Sequence, residues 1–218
     1  MFSLADVTSH LAWLDPFLAP LWIGWGTPVS TLESVAFALS IWMVGCNLRV
    51  NPTGWPLAIA SSVLYGLLFV RSRLYGEAAL QWVFIVMSVW GWWQWLRGRD
   101  ASDQALVVRA MTPRARWMAW ITFTLLWPAI GLLLSRATDS DVPWLDALPT
   151  AGSLIGQYLL ARKRVENWPV WLMVNVVSMV LFAYKQLWLT VLLYGVFAAL
   201  SVIGWRAWRQ MLPPTEMS

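Results

Sequence analysis

Residues 55–95 read WPLAIASSVLYGLLFVRSRLYGEAALQWVFIVMSVWGWWQW, and residues 168–208 read WPVWLMVNVVSMVLFAYKQLWLTVLLYGVFAALSVIGWRAW. The two stretches align without a gap at an offset of 113 residues. Both begin with Trp-Pro and end with Ser-Val-x-Gly-Trp-x-x-Trp. A shared apolar composition can mimic part of such a match, but it does not produce paired Trp-Pro starts and paired tryptophan ends. The chain therefore contains an internal repeat.

The composition around this repeat is that of a membrane protein. Of the 218 residues, 59% are apolar and 12% are charged, and the mean hydropathy is +0.59. Apolar runs close to the length needed to cross a bilayer recur between charges, prolines and glycines. They predict seven spans, at approximately 32–48, 55–71, 77–96, 115–135, 146–161, 168–184 and 187–208. The expected fold is an all-α polytopic membrane protein without a sizeable extramembrane domain.

The basic residues predict the orientation. Eleven of the fifteen Lys and Arg residues lie on the side that holds the C-terminus, and four lie on the other side. By the positive-inside rule, the C-terminus faces the cytoplasm and the N-terminus faces out. Residues 10–26 are rich in Trp but are interrupted by Asp15, Pro16 and Pro20, which favours a helix lying in the interface over an eighth crossing.

The repeat predicts the domain organisation. Four crossings separate equivalent spans, so the two copies are parallel, and the architecture is 3+1+3, as in transporters of the SWEET type. Parallel repeats place a substrate site between the halves near the midplane, which favours a transporter. The predicted segments are an N-terminal interfacial segment 1–31, repeat 1 at 32–96, a loop and linker span at 97–145, repeat 2 at 146–208 and a tail at 209–218.

The sequence contains few residues that could form a catalytic site or a metal centre. The chain has one cysteine, Cys46, and one histidine, His10, so a Cys or His metal cluster is excluded by count. No cofactor is expected. A membrane-embedded enzyme would need an ionisable cluster at depth, and it remains only a distant alternative.

Polar and aromatic side chains at membrane depth are the candidate substrate ligands, because such groups are tolerated where they face a cavity or a neighbouring helix. The candidates are Asn47, Gln81, Gln157, Asn175, Ser178, Tyr194, Trp42, Trp90, Trp171 and Trp188. Each has a structural alternative: helix-to-helix hydrogen bonding for the amides, small-residue packing for the serine, and an interfacial belt or core position for the tryptophans.

The same residues predict what a cavity would accept. Amides donate and accept hydrogen bonds, and indole faces attract flat or cationic rings. No Lys or Arg lies at mid-depth to pair with a phosphate, so a nucleoside fits better than a nucleotide. A carboxylate pair at depth, which ion coupling usually requires, is also missing. These features favour facilitated diffusion.

Specific motifs resemble the PnuC family of bacterial vitamin transporters over roughly residues 32–210. They are N-W-P-V-W-L-x-x-N from Asn167, L-F-A-Y-K-x-L-W-L-T-x-x-L-Y-x-x-F from Leu181, G-W-R-A-W from Gly204 and W-G-W-W-x-W from Trp90. The resemblance implies uptake of nicotinamide riboside across the inner membrane without ion coupling, with retention by a cytoplasmic kinase. Thiamine and riboflavin carriers of the same family are the alternatives. The resemblance also allows a homotrimer.

Carried over by position, the family motifs fall on a small set of residues here. These are Trp90, Trp92, Trp93, Trp95, Asn175, Tyr184, Lys185, Leu187, Trp188, Thr190 and Tyr194. We interpret Asn175 and Gln157 as ligands of the carboxamide or ribose, and Gln81 and Asn47 as ligands of ribose hydroxyls. Trp42, Trp90, Trp171 or Trp188 would then stack on the pyridinium ring.

Overall fold

A computed structural model describes residues 15–24, 27–71, 75–99, 103–138, 142–184 and 188–216. After a short helix, α1 Asp15–Leu18, and a hairpin, seven long helices follow. They are α2 Thr31–Leu48, α3 Gly54–Arg71, α4 Tyr75–Arg97, α5 Pro113–Ala137, α6 Pro143–Ala161, α7 Asn167–Tyr184 and α8 Trp188–Gln210. Each begins and ends within three residues of a predicted span, so the predicted all-α fold of seven helices is confirmed.

Four helices of the described ranges are long and apolar enough to cross a membrane by length and composition alone. They are α2, α5, α7 and the part of α8 over Val191–Gln210, and α3 carries a shorter apolar run, Gly54–Val70. Helix α4 holds five tryptophans, which hydropathy scales score as weakly polar although indoles suit the membrane interface. Helix α6 contains Asp146 and Gln157.

The N-terminal segment differs from its prediction. Its described part forms one helical turn, α1 (Asp15–Leu18), and then an antiparallel hairpin of β1 (Pro20–Gly24) and β2 (Thr27–Ser30). Asp15–Leu18 is helical, but the prediction of a helix over 10–26 is wrong for Pro20–Gly24, because Pro20 cannot continue a helix and the following Leu-Trp-Ile run pairs as a strand. Residues 10–14, 25 and 26 lie outside the described ranges.

The repeat is visible in the turns that follow α2 and α6. Val50 and Lys163, 113 residues apart, both have a left-handed backbone with φ of 52°. The amide of each bonds to the carbonyl three residues earlier, at 3.1 Å and 2.9 Å, respectively. The next bonds also match at the same offset: Asn51 to Cys46 and Arg164 to Leu159, Gly54 to Asn51 and Asn167 to Arg164, Trp55 to Pro52 and Trp168 to Val165. The two turns therefore have the same structure.

The described residues form two compact units. One runs to Cys46 and resumes over Asn51–Val89, and the other comprises Asn47–Val50 and the chain from Trp90 onward. In the first unit, α2 packs on α3 through small residues: the hydroxyls of Ser40 and Ser61 share a hydrogen bond of 2.8 Å, and the Ala36 carbonyl lies 2.9 Å and 3.2 Å from their respective oxygens and accepts from the hydroxyl that is not the donor in that bond. Buried polar contacts of this kind hold apolar helices together in a bilayer.

The second unit is a succession of neighbouring helices, with α5 against α6, α6 against α7 and α7 against α8. Helices α7 and α8 approach each other closely at Gly204, where a Cβ atom would overlap the ring of Trp168. Trp168 also meets Trp208 edge to face, with ring centroids 5.6 Å apart. The shared Trp-Pro start and Gly-Trp-x-x-Trp end of the repeat are therefore packing partners in this unit.

Two indole hydrogen bonds extend the repeat relation within this unit. Trp95 Nε1 donates to the carbonyl of Leu160 at 3.1 Å, and Trp208 Nε1 donates to the carbonyl of Asn47 at 3.0 Å. Donors and acceptors are each 113 residues apart. The last tryptophan of each repeat thus bonds to the C-terminal part of the first helix of the other repeat.

Candidate substrate site

A polar and aromatic cluster joins α7 and α8. Asn175 is buried, and its Nδ2 donates to Ser201 Oγ at 3.2 Å. Ser178, one turn further along α7, shares a hydrogen bond with the hydroxyl of Tyr194. Tyr194 stacks on Phe182, with centroids 5.2 Å apart and planes at 24°. Three predicted residues, Asn175, Ser178 and Tyr194, are thus brought onto one helix interface.

The contact of α6 with α7 supplies an amide and an indole. A Cβ at Gly156 would lie 3.1 Å from Cε2 of Trp171, so the indole lies directly on the backbone of α6. The next residue, Gln157, is buried, as is Ser153 one turn earlier. The residue that contacts the Trp171 indole, Gly156, is therefore followed directly in α6 by a buried amide.

Trp90 lies at the start of the second unit and stacks on Tyr158. Their ring centroids are 5.7 Å apart and the planes differ by 10°. Tyr158 is 52% exposed and directly follows Gln157. Sequence reasoning missed Tyr158, although one signal was present: the equivalent position of the first repeat is Gly45, so the tyrosine is a departure from the repeat.

In the first unit, Gln81 lies at the contact of α3 with α4. A Cβ at Gly66 would be 3.6 Å from Gln81 Cβ, and Gln81 is half-buried. Tyr65 stacks on Phe69 with centroids 6.1 Å apart. Phe69 is the equivalent of Phe182, so each repeat stacks a tyrosine on the same phenylalanine position but supplies it from a different helix.

Asn47 and Trp42 lie on α2. Asn47 is buried, its carbonyl accepts the Trp208 bond, and its Oδ1 has no hydrogen-bond partner among the described residues. Trp42 is 65% exposed, which favours the belt position given as its alternative. The side chain of Trp188 lies outside the described part of the chain, as do those of Lys185, Leu187 and Thr190. The roles of these residues in binding stay predictions.

The basic end of the second unit is held by loop contacts. Lys163 Nζ donates to the Leu106 carbonyl at 2.8 Å and lies 5.2 Å from the centroid of the Trp95 ring. Burial lowers the pKa of Lys163 below its ordinary value. Glu166 accepts from the Met111 amide at 2.9 Å and from Arg116 Nε at 3.2 Å. Among the described residues, no group of three or more His, Cys, Asp or Glu side chains could hold a metal ion.

Seven helices, an internal repeat and buried amides beside indoles define a polytopic carrier of small molecules. The family model described as nicotinamide mononucleotide transporter matches residues 30–210, and the chain belongs to this family. The resemblance to PnuC proteins is thereby confirmed. The chain is a multi-pass membrane protein and a vitamin transporter of the PnuC family, which is a family of transporters rather than enzymes.

Individual relatives differ in what their names say they carry. The nicotinamide riboside transporter PnuC of Escherichia coli is 22% identical, covering 95% of this chain and 93% of its own. The riboflavin/roseoflavin transporter RibM of Streptomyces davaonensis is 32% identical, covering 81% of this chain and 83% of its own. A crystal structure of the vitamin B3 transporter PnuC matches the fold with a TM-score of 0.70 at 21% identity, covering 95% of this chain and 89% of the other.

Proposed function

We propose that this chain carries nicotinamide riboside into the cell by facilitated diffusion. The observation that carries the proposal is the indole of Trp171 on Gly156, next to the buried amide of Gln157. An indole face attracts a cationic pyridinium ring, and an amide can pair with a carboxamide through one donor and one acceptor. Both groups match parts of the riboside.

The polar residues elsewhere in the chain would complete recognition of the riboside. Asn175 would bind the carboxamide or ribose, and Gln81 and Asn47 would bind ribose hydroxyls. The Oδ1 of Asn47 is buried and lacks a protein partner in the described ranges, so it can accept from a hydroxyl without losing an existing bond. Trp90 with Tyr158, Tyr194 and Ser178 would surround the ring, and Trp42 and Trp188 remain further candidates for stacking.

Charge favours the riboside over its phosphate ester. The span Asn167–Tyr184 contains no Lys or Arg, and a phosphate buried without a cation would be strongly disfavoured. We therefore expect nicotinamide mononucleotide to be rejected, although the family description names it. Net uptake would be driven by phosphorylation of the riboside by a cytoplasmic kinase. This scheme assumes that the C-terminus faces the cytoplasm of a bacterial inner membrane.

Riboflavin is the second candidate substrate. RibM is 32% identical to this chain, more than the E. coli nicotinamide riboside carrier at 22%. Riboflavin also combines a flat ring with a hydroxylated chain, and both could use the indole and amides of the second unit. Its ring is larger and uncharged, so cation–π attraction to Trp171 would not contribute.

Uptake into proteoliposomes distinguishes these substrates. Purified protein is reconstituted and supplied separately with labelled nicotinamide riboside, riboflavin, thiamine and nicotinamide mononucleotide, with empty liposomes as the control. We expect saturable entry of the riboside to equilibrium, unchanged by proton or sodium gradients. Entry of riboflavin but not of the riboside would overturn the first choice, and accumulation driven by an ion gradient would overturn facilitated diffusion.

A further inference from the structure

The linker helix α5 exposes a surface that the transport proposal does not use. Its residues from 113 to 124 line an open groove of about 670 Å³ along one face of the helix. The lining residues are Pro113, Arg116, Trp117, Trp120, Ile121 and Thr124. Trp117, Trp120 and Ile121 are 70%, 61% and 55% exposed, respectively, so the groove is apolar along its length and cationic only at its Arg116 end.

The length of α5 places this groove at a membrane surface. The helix has 25 residues and therefore spans about 37 Å, whereas the hydrocarbon core of a bilayer is about 30 Å thick. Unless the helix is strongly tilted, about one turn projects into the headgroup region. The end with Arg114, Arg116, Trp117 and Trp120 has the composition of an interface, because guanidinium groups and indoles both favour that depth.

The positive charge of Arg116 at one end of the groove favours a ligand with an anionic group. Arg116 uses Nε for Glu166, and its side chain remains 55% exposed. The predicted topology places eleven of the fifteen basic residues on this side of the membrane. A molecule with a phosphate at the arginine and hydrocarbon against the indoles and Ile121 matches the groove from end to end. We infer that residues 113–124 of α5 form a binding site for an anionic phospholipid.

Lipid-dependent melting of the full chain tests this inference. Protein delipidated in a neutral detergent is titrated with phosphatidylglycerol and, in parallel, with phosphatidylcholine or inorganic phosphate. We expect a saturable rise in melting temperature with phosphatidylglycerol only. Arg116→Gln should weaken the apparent affinity about fivefold, the effect expected for one cation at an anionic surface. The double change Trp117→Ala with Trp120→Ala should remove saturation.

Matched controls separate the groove from general charge and exposure. Arg114→Gln removes another exposed arginine, two residues away, that does not line the groove, and Trp82→Ala removes an indole of similar exposure on α4. Both should titrate like the parent. The measured quantity is the shift in melting temperature that lipid causes in each variant. A change in the melting temperature without lipid therefore does not affect the comparison.

Two results would overturn the inference. The first is a loss of selectivity. Phosphatidylglycerol would then stabilise the parent and Arg116→Gln equally, or phosphatidylcholine or inorganic phosphate would stabilise the parent as much as phosphatidylglycerol does. The second is a change in molecular mass when the two tryptophans are replaced, with the lipid response unchanged, because the groove would then be a contact between copies of the chain.

Discussion

The two repeats share the backbone geometry of their turns but differ in the polar residues of their helix interiors. The turns at 46–55 and 159–168 share a left-handed residue and the same hydrogen bonds, yet few of their residues are identical. The interiors keep identical tryptophans and glycines but exchange their polar residues: Asn175 stands opposite Ser62, and Gln157 opposite Val44. Geometry is thus repeated where helices reverse and pack, whereas chemistry differs where a solute would be bound. A substrate without two-fold symmetry requires such a difference.

The largest expected effect concerns the shared packing. Gly204→Ala should lower the free energy of unfolding by about 2 kcal/mol or more, because the added methyl group overlaps the ring of Trp168. Denaturant or thermal unfolding in detergent measures the change. Gly45→Ala is the matched control, since a Cβ there meets nothing within 4 Å and alanine is the better helix former. If Gly204→Ala and Gly45→Ala lower the free energy of unfolding equally, the loss at Gly204 does not come from its close packing against Trp168.

The reciprocal indole bonds provide a symmetric test. Trp95→Phe and Trp208→Phe should each cost about 1 to 2 kcal/mol, because each change leaves a buried carbonyl without its donor. Unfolding of the two variants under identical conditions measures this cost. Similar losses in the free energy of unfolding would show that the two equivalent bonds contribute equally to stability. A loss at one position alone would show that only one of the two bonds stabilises the fold.

A smaller effect is expected where the repeats diverge. Asn175→Ala should weaken riboside binding about fivefold, which corresponds to about 1 kcal/mol, if the amide contacts the substrate. Isothermal titration with tryptophan fluorescence measures the affinity. Ser201→Ala is the control, because it removes the partner of Asn175 across the α7 and α8 interface but keeps the amide. If both variants melt earlier and bind normally, Asn175 only fastens the two helices.

The smallest effect concerns the left-handed residues of the turns. Val50→Gly should raise the free energy of unfolding by about 0.5 kcal/mol, and the melting temperature slightly with it, because a β-branched residue is strained at φ of 52° and glycine is not. Lys163→Gly relieves the same backbone but loses the bond to Leu106 and the contact with Trp95. We therefore expect no gain there. Stabilisation by both changes would mean that the lysine contacts contribute little.

The fold was largely predictable from the sequence. Prolines, glycines and arginines bracket each apolar run, so the ends of the seven helices followed from residue chemistry alone. The N-terminal hairpin was not predicted, because the apolar residues after Pro20 fit a strand as well as an interfacial helix. Local composition cannot decide between the two where no periodicity is present.

The candidate site was only partly predictable. Asn175, Ser178 and Tyr194 were all named as candidates from the sequence, and the structure brings them onto one helix interface. The role of the Asn47 backbone could not be predicted, because Trp208 bonds to the Asn47 carbonyl and the identity of a residue does not indicate which backbone groups accept hydrogen bonds. Tyr158 was not among the predicted ligands, and its equivalent in the first repeat is Gly45. Comparison of equivalent positions would have revealed it.

The two indole bonds also bear on how such a chain could have arisen. Trp95 to Leu160 and Trp208 to Asn47 are one contact made twice, with donor and acceptor exchanged between repeats. Two separate copies of a three-helix ancestor, paired around a two-fold axis, would form that contact in both directions without any new residue. A gene duplication with an added linking helix would then have preserved an existing dimer interface inside a single polypeptide. Each half was thereafter free to vary its polar residues independently.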